Sequence, residues 1–142
     1  MRNDLKLNIP QLLEIDTVSD ISGNISVVEF GHGNFPNFQR TYFLHNLAPN
    51  AVRGAHAHRQ ITQFMIAISG SFKVELEHRG VQYSFGLSRP QEGLMIPPLT
   101  WRNLSSFSQG AVCLVLATSH YDESEYIRDY GEFNRLQVAT DM

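Results

Sequence analysis

The chain has 142 residues, enough for one domain with a sizeable core, and its 42% hydrophobic and 18% charged content is that of an ordinary globular protein. Eleven Lys and Arg against fourteen Asp and Glu give a formal net charge of −3 with no basic run, which excludes nucleic-acid binding as the main function. No apolar run approaches a membrane span, the first residues lack the apolar core of a signal peptide, and a single Cys113 cannot form an internal disulfide. The expectation is a cytoplasmic enzyme or binding module with no membrane contact.

Turn signals recur at Ser22-Gly-Asn24, Gly31-His-Gly-Asn34, Pro49-Asn50, Ser69-Gly-Ser71, His78-Arg-Gly80, Gly93 and Pro97-Pro98. Between them, segments 25–30, 40–46, 62–69, 72–78, 81–85 and 111–118 are rich in Val, Ile, Phe and Tyr. Short strands at this spacing predict an all-β sandwich or barrel. A barrel this small leaves strand edges exposed, so an N-terminal strand around 12–30 is expected to pair across a two-fold axis in a homodimer. Arg53-Gly-Ala-His-Ala-His58 follows, and its period of two puts both imidazoles on one face of a strand. Phe64–Ile68 is too apolar to face water. Phe72, Val74 and Leu76 then alternate with Lys73, Glu75 and Glu77, predicting a half-buried strand that turns at 78–80 into a hairpin. Cys113, inside an apolar run, reads as a core thiol. From 122 the period changes: Tyr126, Ile127, Tyr130 and Phe133 recur at three and four behind an acidic start. This predicts a helix over 122–134 closing a barrel that spans about 12–119, with 136–142 as a frayed tail of a single 1–142 domain.

Two histidines aimed into an apolar interior are expensive without partners, so the pair beside Arg53 marks a pocket. His32, His45, His78 and His120 read instead as loop or surface residues, Tyr121, Tyr126 and Tyr130 as docking the helix, and Trp101 as core or rim packing. Gly54-X-His56-X-His58-X4-Gln63-X6-Gly70 and Gly93-X3-Pro97-X4-Arg102 together resemble the paired motifs of cupins, small jelly-roll β-barrels with a His-His-Glu…His metal site at the mouth. Here Gln63 replaces the glutamate and Arg102 the fourth histidine. An amide is a weak ligand and a guanidinium stays protonated, so neither a metal nor another cofactor is expected. A neutral histidine is a good base near pH 7, and arginines beside it neutralise phosphates or an enolate oxygen. That combination suits abstraction of a proton next to a carbonyl on an anionic substrate.

A narrower resemblance extends over the domain. Asp20-Ile-Ser-Gly-Asn24, Arg40-Thr-Tyr42, the Arg53–His58 run, Gln63, Gly70-Ser71, Trp101 and Tyr121-Asp-Glu-Ser-Glu-Tyr-Ile-Arg128 are similar to the nucleotide-sugar 3,4-ketoisomerase branch of cupins. The resemblance implies conversion of a thymidine-diphosphate (TDP) 4-keto-6-deoxyglucose to the 3-keto sugar through an enediol, in deoxysugar biosynthesis that feeds cell-surface polysaccharide such as the lipopolysaccharide O-antigen. Within it, His58 is the expected base and His56 the proton donor or positioner, the two roles being exchangeable, with Arg53, Arg102, Tyr42, Arg40, Gln63 and Ser22 expected to contact substrate. Arg102 after Trp101 resembles the branch giving the gluco configuration at carbon 4, while Ala55 and Ser22 are smaller than the residues usual at their positions. Three rivals remain: a 3,5-epimerase on the same substrate, a metal-dependent cupin dioxygenase, and a non-catalytic sugar-nucleotide-binding cupin.

Overall fold

The structure, a computed structural model, describes residues 8–141. Its strands are β1 (Gln11–Glu14), β2 (Asp16–Asp20), β3 (Gly23–Val27), β4 (Arg40–Leu44), β5 (Arg53–His58), β6 (Gln63–Ser69), β7 (Phe72–His78), β8 (Val81–Leu87), β9 (Glu92–Ile96), β10 (Trp101–Ser105), β11 (Val112–Ala117) and β12 (Tyr126–Ile127). One helix, α1 (Tyr130–Asp141), ends the chain's described part. The strands form two five-stranded antiparallel sheets, β1-β9-β6-β11-β4 and β12-β5-β10-β7-β8, plus the separate hairpin β2-β3. This is the all-β, cupin-like jelly roll with one short C-terminal helix.

The two sheets bury a shared core. Met65, Leu94, Ile96 and Val115 from the first meet Phe72, Val74, Leu76, Leu87 and Leu104 from the second. Each such side chain contributes about 1.5–3 kcal/mol by leaving water. The predicted alternation of β7 holds: Phe72, Val74 and Leu76 are buried, whereas Lys73 and Glu75 are exposed. The chain reverses between β7 and β8 through Arg79 and Gly80, both with positive φ, as a two-residue hairpin requires. Cys113 is fully buried and its thiol is pushed up to about 12 by desolvation, so it is an inert core group.

Four expectations need correction. The N-terminal stretch 12–30 is not one strand: β1 pairs with β9, and β2 and β3 pair only with each other. Gly93 is not a turn but lies within β9, where a Cβ would sit 2.3 Å from the Phe64 ring, so the glycine exists to let that ring lie on the backbone. The helix does not run over 122–134. Asp122 caps a short 3₁₀ turn (Glu123–Glu125), its side chain accepting from Ser124 N, and the chain then straightens to pair Tyr126 and Ile127 with β5. Helix α1 starts only at Tyr130, with the Asp129 carboxylate accepting from Glu132 N at 2.9 Å. Nor are residues 136–141 a tail outside the secondary structure, since α1 continues to Asp141, while Met142 lies outside the described residues. Gln137 is buried, donating to Glu77 at 2.6 Å and accepting from Gly80 N at 3.1 Å.

Candidate active site

The histidine strand is re-aimed by a bulge. Arg102 lies opposite His56 and Asn103 opposite Gly54, so Ala55 is the extra residue, with φ 56°. Gly54 has φ 100°, and a Cβ there would stand 2.8 Å from the Arg102 carbonyl oxygen, so only glycine fits. The kink brings β5 and β10 close at the point where each contributes its charged or titratable side chain.

A cavity of about 220 Å³ opens between the sheets. The first sheet supplies Arg40 and Tyr42 from β4 and Gln63 from β6; the second supplies Arg53 and His56 from β5, Arg102 from β10 and Tyr126 from β12. Met65, Leu104 and Val115 give it apolar walls. The volume equals roughly seven water molecules, the scale of a hexose ring rather than a nucleotide. A larger depression of about 350 Å³ beside Asn8 and Phe35 contains none of the predicted residues.

Arg102 is the largest fully buried side chain in the protein. Its Nη1 donates to Gln63 Oε1 and its Nη2 to Thr100 O at 3.1 Å, while Nε has no partner and no carboxylate pairs with it among the described residues. Burial, against a smaller raising by Tyr42 and Tyr126, lowers it to about 10, so it is a cation held without a counter-ion. A guanidinium only donates, so it fixes the Gln63 amide with oxygen towards Arg102 and nitrogen towards Tyr42. Gln63 Nε2 donates to the Tyr42 hydroxyl at 3.2 Å, leaving that hydroxyl's own proton free for the cavity. Desolvation raises the Tyr42 phenol, against a smaller lowering by Arg102.

His56 Nδ1 donates to the Gly54 carbonyl at 3.1 Å, which fixes the neutral tautomer with Nε2 bare; Nε2 is buried and unpartnered. Desolvation first, then Arg102, lowers His56 to about 4. His58 stands beside it, ring centroids 5.0 Å apart, with both nitrogens unpartnered, and the same causes lower it to about 2. Both imidazoles are therefore neutral near pH 7 and surrounded by arginines.

Of the residues predicted from sequence, Arg40, Tyr42, Arg53, His56, Gln63 and Arg102 converge on this cavity. His58, 1% exposed, lies against His56 rather than in the wall itself. Ser22 does not join them: it sits at the tip of the β2-β3 hairpin, its backbone N and Oγ bound to Asp20 at 2.8 and 2.6 Å. Trp101 packs against Tyr130 and Phe133 and so docks α1. His78, expected at the surface, is 4% exposed and bonded within the protein. Two cavity residues, Tyr126 and Arg128, escaped the periodicity reading because it placed them on a helix; the only pointer was their place in the Tyr121–Arg128 motif. The donor set does not fit a transition metal: the Gln63 oxygen is taken by Arg102, and a guanidinium occupies the place of a further ligand.

The chain matches the family described as FdtA, WxcM-like C-terminal, over residues 8–138, and it belongs to that family. A curated relative, the TDP-4-oxo-6-deoxy-α-D-glucose-3,4-oxoisomerase of Aneurinibacillus thermoaerophilus, is 29% identical over 126 residues, covering 88% of this chain and 90% of its own. The sugar 3,4-ketoisomerase QdtA of Thermoanaerobacterium thermosaccharolyticum, solved with TDP, superposes with a TM-score of 0.91 at 29% identity, over 97% of this chain and 100% of that one. The TDP-quinovose 3,4-ketoisomerase WlaRB of Campylobacter jejuni is 36% identical, with a TM-score of 0.84 over 89% and 97% of the two chains.

Proposed function

We propose that this protein is a TDP-sugar 3,4-ketoisomerase that converts TDP-4-keto-6-deoxyglucose to the 3-keto-6-deoxy sugar without a metal. The observation that carries the reading is a ring-sized cavity with a neutral imidazole whose Nε2 is unpartnered on one sheet, a free phenol proton on the other, and a buried guanidinium lacking a counter-ion. The hexose fills the cavity, and the diphosphate lies at the mouth among Arg40, Arg53 and Arg128.

Geometry favours His56 over His58 as the base, the second of the two assignments open to the pair, because His56 is in the wall with Nε2 bare. His56 takes the hydrogen on carbon 3, acidified by the neighbouring ketone. The electron pair becomes the carbon 3–carbon 4 double bond, and Arg102 stabilises the charge on oxygen 4. His58, one donor and one acceptor in its neutral form, carries the hydroxyl proton from oxygen 3 to oxygen 4. Carbon 4 is then protonated by the Tyr42 phenol, and the proton held on His56 returns to the phenolate through solvent as the product leaves. In a gluco product the new hydrogen stands on the face opposite the one stripped at carbon 3, so base and acid belong on opposite walls. Tyr42 on β4 faces His56 on β5 in this way, and the likeness to a TDP-quinovose enzyme favours the same outcome. Because a thymidine-diphosphate sugar is a cytoplasmic metabolite, the activity is placed in the cytoplasm, in deoxysugar synthesis for cell-surface polysaccharide.

The working unit in this proposal is a homodimer. The β2-β3 hairpin exposes Val18 and Ile25 at 67% each, and an isolated hairpin is marginal in water. A partner's hairpin laid along the unpaired edge of β4 would cover it and bring the partner's Ser22 near the site. Light scattering should give twice the 16.1 kDa chain mass; a monomer at micromolar concentration contradicts this part. The function itself is tested by NMR after incubation with TDP-4-keto-6-deoxyglucose and a chelator. The expected product is the 3-keto sugar with an equatorial hydroxyl at carbon 4, and Arg102→His should divert part of it to the galacto form. A 3,5-epimerised product, or activity abolished by the chelator, overturns the reading.

A further inference from the structure

The segment after Asp122 crosses beside the histidine wall as a strap. Its β12 pairs Tyr126 with His58 and Ile127 with Ala57, and Ile127 is fully buried as its anchor. The Tyr126 ring lies 5.0 Å from His56 and 4.6 Å from His58, edge-on to the latter at 64°. The Arg128 guanidinium covers the same ring at 4.3 Å. One phenol ring thus touches both imidazoles at once.

The residues directly after His58 fasten this strap. Arg59 N donates to Glu125 O at 3.1 Å, and Arg59 Nε donates to Ser124 O at 3.1 Å. Its Nη2 pairs with Glu132 on α1 at 2.9 Å, and Gln60 N donates to Glu125 Oε1 at 2.9 Å. An exposed pair of this kind adds little stability by itself, so its consequence is geometric. It fixes where the chain leaves the 3₁₀ turn and therefore where Tyr126 stands.

We infer that Tyr126 is a positioning residue for the histidine pair, its ring holding both imidazoles in place and keeping water off them, and that Arg59 sets its position by fastening the strap. The packing argument stands on these contacts, while its kinetic consequence rests on the isomerase reading. The groups facing the pair are Arg102 from β10, Arg40 and Tyr42 from β4, Arg53 from β5, and Tyr126 and Arg128 from the strap. None is a carboxylate, so only water would favour the protonated imidazoles beyond the Gly54 carbonyl. Removing the ring admits that water and lets the histidines titrate nearer their ordinary value.

The test is NMR titration of the imidazoles in wild type, Tyr126→Phe, Tyr126→Ala and Arg59→Ala, alongside kcat and KM across pH. In wild type His56 should titrate near the value of about 4 set by its burial. The Phe variant should match it. The Ala variant should raise that midpoint by about one pH unit or more, move the acid limb of kcat/KM the same way, and lower kcat about tenfold with KM little changed. Arg59→Ala, remote from the cavity, should shift both in the same direction by less, and it carries the test if Tyr126→Ala does not fold. Imidazoles that titrate as in wild type in both the Ala variants overturn the inference, as does a Phe variant shifted as far as Ala. Shifted titrations in a protein with no isomerase turnover would instead sink the isomerase reading and leave the positioning role standing.

Discussion

His58 and His78 are both buried, at 1% and 4% exposure, yet their surroundings differ completely. His78 donates through Nε2 to Asn8 O at 2.6 Å, and its Nδ1 lies 2.9 Å from Thr100 Oγ1 and 3.2 Å from Leu99 O. Thr100 Oγ1 carries one proton and lies within reach of both His78 Nδ1 and Pro97 O, the latter at 2.8 Å, so it can meet the bare nitrogen of a neutral His78 ring. His58 has no protein partner at either nitrogen, and His56 none at Nε2. Leaving such groups unmet costs about 1–3 kcal/mol each, and among the buried side chains of the described residues that penalty falls only here, on His56, His58 and the adjoining Arg102. Burial does not separate a structural histidine from a working one; satisfaction does. His78 ties the N-terminal segment to the β9–β10 loop, whereas the His56–His58 pair keeps nitrogens unpartnered beside the cavity, as the proposed function requires.

The largest expected effect comes from the pair. His56→Asn should reduce kcat by ~10²–10⁴-fold, the usual contribution of a general base, while TDP affinity and melting temperature stay near wild type. His58→Asn should also abolish net isomerisation but leave exchange of the carbon 3 hydrogen with solvent, since oxygen proton transfer alone is lost. NMR in deuterated water separates the two. Next, Arg102→Met should lower turnover by about 10²–10³-fold, the scale of losing one preorganised charge donor. It should leave stability unchanged or higher, because it removes a buried cation that has no counter-ion. A large loss of stability with normal turnover would reverse the assignment of Arg102 from chemistry to structure.

His78→Ala tests the opposite arm. It should destabilise by about 2–4 kcal/mol through unmet carbonyls and a cavity, with unchanged turnover per folded molecule. Denaturant melts and active-site-normalised rates would reveal it. A smaller effect follows from pH. His56 is lowered by burial from 6.5 to about 4, so between those values the unfolded chain binds more protons than the folded one. Its contribution is fully present above pH 6.5 and is lost as pH falls to about 4, up to roughly 3 kcal/mol. Stability should therefore decline on acidification through that window, less steeply in His56→Asn, while the proposed base stays mostly neutral in the wild type until the pH approaches 4.

Much of this was legible in the chain, for identifiable reasons. The β7 alternation and the Arg79–Gly80 turn are local signals, and period two in the Arg53–His58 run put the imidazoles on one face before any contact was known. What sequence hid was non-local. Glu92–Ile96 carries a glycine that reads as a turn until the Phe64 ring above it is seen. Tyr126 and Ile127 have helical spacing to Tyr130, but pairing with β5 and the Asp122 cap outweigh that weak preference. His78 beside Arg79-Gly80 looks like a turn residue, because partners such as Asn8, Leu99 and Thr100 are distant in sequence. Ser22 was drawn from resemblance alone, and within one chain nothing brings it to the cavity.

The central claim is that His56, not merely the cavity, removes the hydrogen from carbon 3. The most direct measurement follows loss of deuterium from TDP-4-keto-6-deoxyglucose labelled at carbon 3, in ordinary water with chelator, for wild type and His56→Asn at matched TDP binding. The account predicts washout of the label with a primary isotope effect in the wild type, and no washout above background in His56→Asn. Washout at the wild-type rate in His56→Asn would contradict it.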